Sequence, residues 1–95
     1  MIVSVDQLKA HLRIDDDAED EYLTGLLEQS EAACLAFCLR DSFDEPVPKE
    51  AVLAVMVYAG YLHANREGGD PNPLKAMTTV VHALLWPYRD LTRLI

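Results

Sequence analysis

Cys34 and Cys38 stand four residues apart, a spacing that puts two side chains on one face of a helix. Thiols so placed first suggest metal binding. Structural zinc sites, however, use tighter cysteine spacing on turns and need four ligands, and His11, His63 and His82 are scattered along the chain. Leu27 and Phe37 share the cysteines' face, so the pair is expected to be buried as small hydrophobes. His63 and Glu67 are also four apart, but no second histidine lies one turn away, so there is no metalloprotease spacing. A histidine in the last turn of a helix is accounted for by the helix dipole. His11 and His82 are lone histidines beside apolar faces.

The densest run of carboxylates is Asp15, Asp16, Asp17, Glu19, Asp20 and Glu21. A calcium loop would need glycine at its sixth position and glutamate at its twelfth, and neither is present. These acids fall on several helical faces, so they offer no converging pair for glycosidase-type acid–base work. Gly68-Gly69 reads as a helix stop, and nothing resembles a phosphate cradle or a turn presenting a nucleophile. No catalytic residue, cofactor or metal site is expected; the chain reads as non-enzymatic. What remains is surface chemistry. The acids form one candidate surface, and the chain end forms another, with Trp86, Tyr88, Arg89, Leu91, Leu94 and Ile95. Aromatic residues and arginine dominate protein interfaces, so these six are candidate partner-binding residues unless they fold back onto the domain.

Ninety-five residues make one domain, with too little chain for two cores. An apolar content of 51% argues against disorder. Sixteen acids against eight bases leave a net charge of −8, the wrong sign for a protein that grips DNA through lysine and arginine. The charge is also lopsided: residues 1–50 hold 13 acids and 4 bases, whereas residues 51–95 hold 3 and 4. Met1-Ile2-Val3 runs directly into polar residues without a basic stretch, so no signal peptide is expected. The longest apolar run, Ala51 to Leu62, falls short of the roughly 20 residues that span a membrane. Two cysteines make no disulfide scaffold, and a reducing cytoplasm is expected.

Four helical segments can be drawn and no convincing strand, so the expected fold is an all-α bundle over residues 1–95. Ser4 and Gln7 have capping-box spacing, and Val5, Leu8 and Leu12 follow on one face as far as Ile14. Asp15-Asp16-Asp17 is expected to cap a second helix, whose apolar positions Leu23, Leu26, Leu27, Ala33, Cys34, Phe37 and Cys38 keep a 3.6-residue period, with Ser30 the one polar insertion. Pro48 suits the first turn of a third helix, apolar on every side from Ala51 to Leu62. An all-round apolar helix must be covered all round, and three short neighbours are too few. Val52, Val55, Met56, Tyr58, Ala59, Tyr61 and Leu62 are therefore candidate subunit-interface residues. A fourth helix is expected with Asn72 as cap and Pro73 as first residue, ending near Trp86 before Pro87.

Three stretches resemble a known family. Val5-Asp6-Gln7-Leu8-Lys9-Ala10-His11-Leu12-Arg13-Ile14-Asp15 precedes an acidic run and a Leu-Leu-Glu helix; Tyr61-Leu62-His63-Ala64-Asn65-Arg66-Glu67 ends a proline-started apolar helix; Leu84-Leu85-Trp86-Pro87-Tyr88-Arg89 comes last. In this order they resemble small tailed-phage head–tail connectors, also called DNA-packaging adaptors. The resemblance implies an all-α protomer that assembles as a ring, dodecameric by expectation, beneath the portal of a phage capsid. Double-stranded DNA would pass through it and tail-side completion proteins would dock below. The implied location is the virion's head–tail junction, with the host cytoplasm as the place of assembly. On this reading some of Asp15, Asp16, Asp17, Glu19, Asp20 and Glu21 line the DNA lumen, where carboxylates repel phosphate over roughly 8 Å at physiological salt.

Other classes predict different features. A small acidic regulatory or antitoxin-like helical protein that binds one protein partner would share the acidity and the tail but not a ring. An all-α enzyme of the chorismate-mutase kind needs basic residues converging on a dicarboxylate, whereas Arg13, Arg40, Arg66 and Lys75 lie on separate segments. A DNA-reading helix-turn-helix would need a basic recognition helix, and no segment supplies one.

Overall fold

A computed structural model describes residues 1–65 and 71–94, with backbone only at 71–73 and 93–94. Four helices follow in order: α1 (Val5–Leu12), α2 (Asp20–Cys38), α3 (Lys49–Ala64) and α4 (Pro71–Leu85). Two 3-10 turns, Trp86–Tyr88 and Leu91–Leu94, complete the chain, and no strand occurs among the described residues. Helix α3 is central, packing most extensively on α2 and α4, with α1 laid across the bundle.

The helix ends explain why the chain turns where it does. Gln7 N donates to Ser4 Oγ at 3.0 Å and Ser4 N to Gln7 Oε1 at 2.8 Å, so the capping box forms as the spacing predicts. Helix α1 closes at Leu12, short of Ile14, because Arg13 turns left-handed with φ 60°. Arg13 N then reaches Ala10 O and Ile14 N reaches Lys9 O, which satisfies two carbonyls that the helix leaves without partners. Leu39 (φ 58°) closes α2 in the same way, with Leu39 N on Ala36 O and Arg40 N on Leu35 O. Neither position is glycine, so each left-handed residue costs about 1 kcal/mol.

The starts of α2 and α4 differ from expectation. Asp15-Asp16-Asp17 does not cap α2, which begins at Asp20 with Glu19 in the cap position and no side-chain cap bond. Asp16 instead closes its own turn, accepting from Ala18 N at 3.1 Å, and Asp17 is drawn to Lys9. Helix α4 begins at Pro71, two residues before Pro73. Its β-branched run Thr78 to Val81 stays helical, with Thr79 Oγ1 donating back to Lys75 O. The expected break at Gly68-Gly69-Asp70 lies outside the described residues.

The core is built from Leu8 of α1, Leu23, Leu27, Cys34 and Cys38 of α2, Ala51, Ala54, Val55 and Ala59 of α3, and Met77, Val81 and Leu85 of α4. Each fully buried leucine or valine contributes roughly 1.5–3 kcal/mol relative to exposure. Ser30, the polar insertion, is fully buried, and its hydroxyl donates to Leu26 O at 2.7 Å. The N-terminal Met1–Val3 segment is held against α2, with Val3 buried and Ile2 N donating to Glu31 Oε1 at 2.6 Å.

The bundle covers more of α3 than its composition suggests. Small residues at Ala51, Ala54 and Ala59 let the neighbouring helices approach closely, and a Cβ at Gly60 would stand 3.4 Å from a methyl of Leu12. Cover is nevertheless incomplete. The molecule measures 45 × 31 × 17 Å, and with helices packing 8–10 Å apart its thin dimension holds about two layers. Leu53, on the side of α3 away from Ala51, Val55 and Ala59, keeps 40% of its surface exposed.

Candidate functional site

Three surfaces carry the residues singled out by sequence: the acidic segment, the outer side of α3, and the C-terminal tail.

In the acidic segment, Lys9 gathers two of the six carboxylates. Its Nζ lies 2.6 Å from Asp17 Oδ1 and 2.9 Å from Asp20 Oδ1, although Lys9 itself is only 8% exposed. The two carboxylates hold the ammonium charged against burial, and Lys9 in turn lowers the Asp17 pKa below its ordinary value of 3.8. Asp15, Asp16 and Glu21 remain exposed, and Glu19 is half-buried. Arg13, Ile14, Asp15, Asp16, Glu19 and His63 line an open cleft of about 410 Å³. His63 Nδ1 is buried without a hydrogen-bond partner among the described residues, and its ring lies 6.3 Å from that of Tyr22. Glu67, its expected neighbour, lies outside the described residues. The structure thus brings His63 near the acids, a juxtaposition that linear spacing did not show. No group of three or more His, Cys, Asp or Glu among the described residues could hold a metal ion.

On α3 the seven interface candidates divide. Val55 and Ala59 are 1% and 0% exposed, so the protomer's own core occupies them and a neighbour cannot reach them. Val52, Met56, Tyr58, Tyr61 and Leu62 are half-buried at the edge of the core. Leu53, which the periodicity did not single out because the helix is apolar on every side from Ala51 to Leu62, is the most exposed large apolar side chain of this helix.

The tail folds back onto the domain, the first of the two outcomes that the sequence left open for it. Arg89 Nε donates to Phe37 O at 2.9 Å and Asp90 N to Cys38 O at 2.8 Å. With the two bonds of the Leu39 turn, all four terminal carbonyls of α2 are satisfied. The Arg89 guanidinium lies 4.7 Å from the Phe37 ring centroid and 5.2 Å from that of Trp86. His82 stacks on Phe37 with centroids 4.0 Å apart. Arg40 Nε donates to Tyr88 O at 2.7 Å, and Tyr88 Oη donates to Glu50 Oε2 at 2.8 Å, joining the tail to the start of α3. That bond raises the Tyr88 pKa and contributes to lowering that of Glu50, where a backbone hydrogen bond acts first. Trp86 and Leu91 stay exposed, at 62% and 54%. The side chain of Leu94 and all of Ile95 lie outside the described residues.

The thiols are free and buried as the spacing predicts, with Cys34 pushed up to about 12 and Cys38 also raised, both by burial. No helix among the described residues is long and apolar enough to cross a membrane.

The protein is thus an all-α slab with an incompletely covered central helix and an acidic segment at one side. The sequence model of the phage gp6-like head-tail connector proteins matches residues 2–79, most of the chain, and the protein belongs to that family. Its role is therefore that of a structural connector of the phage head–tail junction. No curated protein and no solved structure matches the chain. The matched residues include the first two stretches that resemble connectors; Leu84 to Arg89 lies beyond them.

Proposed function

We propose that this chain is the protomer of a closed ring, dodecameric in copy number, that seats beneath the phage portal and lets double-stranded DNA pass without base-specific contact. The observation that carries the reading is the family match over residues 2–79. Two features of the protomer support it. The uncovered strip around Leu53, edged by the half-buried Met56 and Val57, is apolar surface that a neighbouring copy would bury. The exposed acids Asp15, Asp16 and Glu21 suit a lumen that must not hold phosphate, whereas Asp17 and Asp20 are already paired with Lys9 and serve the fold. In this arrangement the outward tail residues Trp86 and Leu91 are available to partners. The portal above and the tail-side proteins below complete the junction, which assembles in the host cytoplasm.

Reversing Asp15, Asp16 and Glu21 to lysine tests the lumen assignment without touching the Lys9 pairs. The triple variant is expected to fold, by circular dichroism, and to yield fewer DNA-filled heads. Normal packaging and DNA retention by that variant would overturn the assignment. For the ring itself, co-purification with the portal protein followed by electron microscopy is expected to show a symmetric collar.

A further inference from the structure

A closed ring joins identical copies through two unlike patches, one on each flank of the protomer. Given the ring reading above, on which this step rests, we infer that the outer face of α2 in one copy packs on the outer face of α4 in the next. The two faces belong to different flanks, because α2 and α4 each pack chiefly on α3 and little on one another. On α2 the outward side carries Gly25, Glu28 and Ala32, all exposed. On α4 it carries Ala76, Val80 and Ala83, with exposed Lys75 at its edge.

Gly25 marks α2 as a helix approached from outside. Glycine in a helix interior is destabilising relative to alanine, because it gives up more backbone freedom on folding. Gly25 lies well inside α2, its φ is outside the left-handed region, and a Cβ added there would meet no atom within 4 Å. At Gly60, by contrast, a Cβ would touch Leu12 of the same chain. Neither backbone geometry nor packing inside the protomer calls for glycine at position 25, whereas the close approach of a second backbone does.

Charge makes α4 of a second copy the occupant. From Ile14 to Leu39 the chain has no lysine, arginine or histidine, and from Pro71 to Tyr88 it has no aspartate or glutamate. Helix α2 is therefore wholly acidic in its charged residues, and α4 carries only Lys75 and His82. Of the α2 acids, Asp20 is held by Lys9 and Glu31 by Ile2 N, which leaves Glu21 at the helix start and Glu28 at its middle facing out. Joining α2 to α2 would set like charges together, whereas joining α2 to α4 sets Glu28 against Lys75.

Gly25→Leu separates the protomer from its assembly. It is expected to keep the circular-dichroism spectrum and raise Tm by a few degrees, since leucine is the better helix former. Assembly of the full chain, followed by light scattering with and without portal protein, is expected to be lost. Glu28→Lys and Lys75→Glu are each expected to weaken assembly about tenfold, and the double variant, in which the charges are exchanged, to recover most of it. Normal particles from Gly25→Leu would overturn the inference and leave the ring standing. Loss of assembly in Gly25→Leu with no recovery in the double charge variant would also overturn it, giving the α2 face to a surface other than α4. No assembly of the unaltered chain, with or without portal protein, would remove the ring reading as well.

Discussion

Replacing Arg89 by alanine should destabilise the protomer by about 2 kcal/mol. The side chain donates Nε to Phe37 O at 2.9 Å, and a hydrogen bond from a charged donor contributes about 1.5–3 kcal/mol when shielded. Arg89 is only half-buried, which places the contribution at the low end of that range. Stacking over Phe37 and Trp86 adds roughly 0.5–1 kcal/mol at a site this open. A 95-residue domain has a total stability of about 5–14 kcal/mol, so the loss is a substantial fraction. For a domain of this size each kcal/mol corresponds to roughly 4–8 °C in Tm, and the expected fall is about 8–16 °C. Thermal and urea unfolding followed by circular dichroism, at dilutions where the protein is monomeric, measures it. Arg89→Lys keeps the charge near the α2 C-terminus but loses the planar fork, and should recover only part of the loss. A change below about 0.5 kcal/mol in Arg89→Ala would refute the claim that the tail caps α2.

Three further outcomes follow from other contacts. Because Lys9 lowers the Asp17 pKa, the stability that Asp17 adds is present above its unfolded value of 3.8 and is lost as pH falls through the lower folded value; Lys9→Met should flatten that acid limb in urea midpoints measured against pH, and an unchanged limb would exclude the pair as its source. Native protein at pH 8 should leave Cys34 and Cys38 unreactive toward a thiol reagent, with both reacting in urea; fast labelling of the folded state would contradict their burial. Arg13→Gly should stabilise by roughly 0.5 kcal/mol, since relief of the left-handed strain at φ 60° outweighs the extra freedom of glycine in the unfolded chain, and a lower Tm would show that the arginine side chain makes a compensating contact.

The three stretches that resemble connectors turn out to be joints of the fold. Ser4 and Gln7 start α1, Lys9 ties down the acidic loop, and Arg13 stops the helix. Asn65 closes α3, with its backbone N and its side-chain Nδ2 each 3.0 Å from Tyr61 O. Tyr88 and Arg89 join the tail to α3 and α2. Such residues hold the angles between helices, and those angles fix the shape of the protomer's surface.

Sequence by itself determined the helices, because a 3.6-residue apolar period and a capping box are local properties: Leu23 through Cys38 lie on one face whatever they pack against, and Ser4 needs only Gln7. It also determined the burial of the two thiols, through the company they keep on that face. It could not assign the sides of α3, since a helix apolar all round has no periodic signal, and only packing against α1, α2 and α4 left Leu53 outside while enclosing Val55 and Ala59. Nor could it tell Asp17 and Asp20, held by Lys9, from Asp15 and Glu21, which face solvent. Those distinctions rest on contacts between residues far apart in the chain, as between Phe37 and Arg89, and such contacts exist only once the helices have docked.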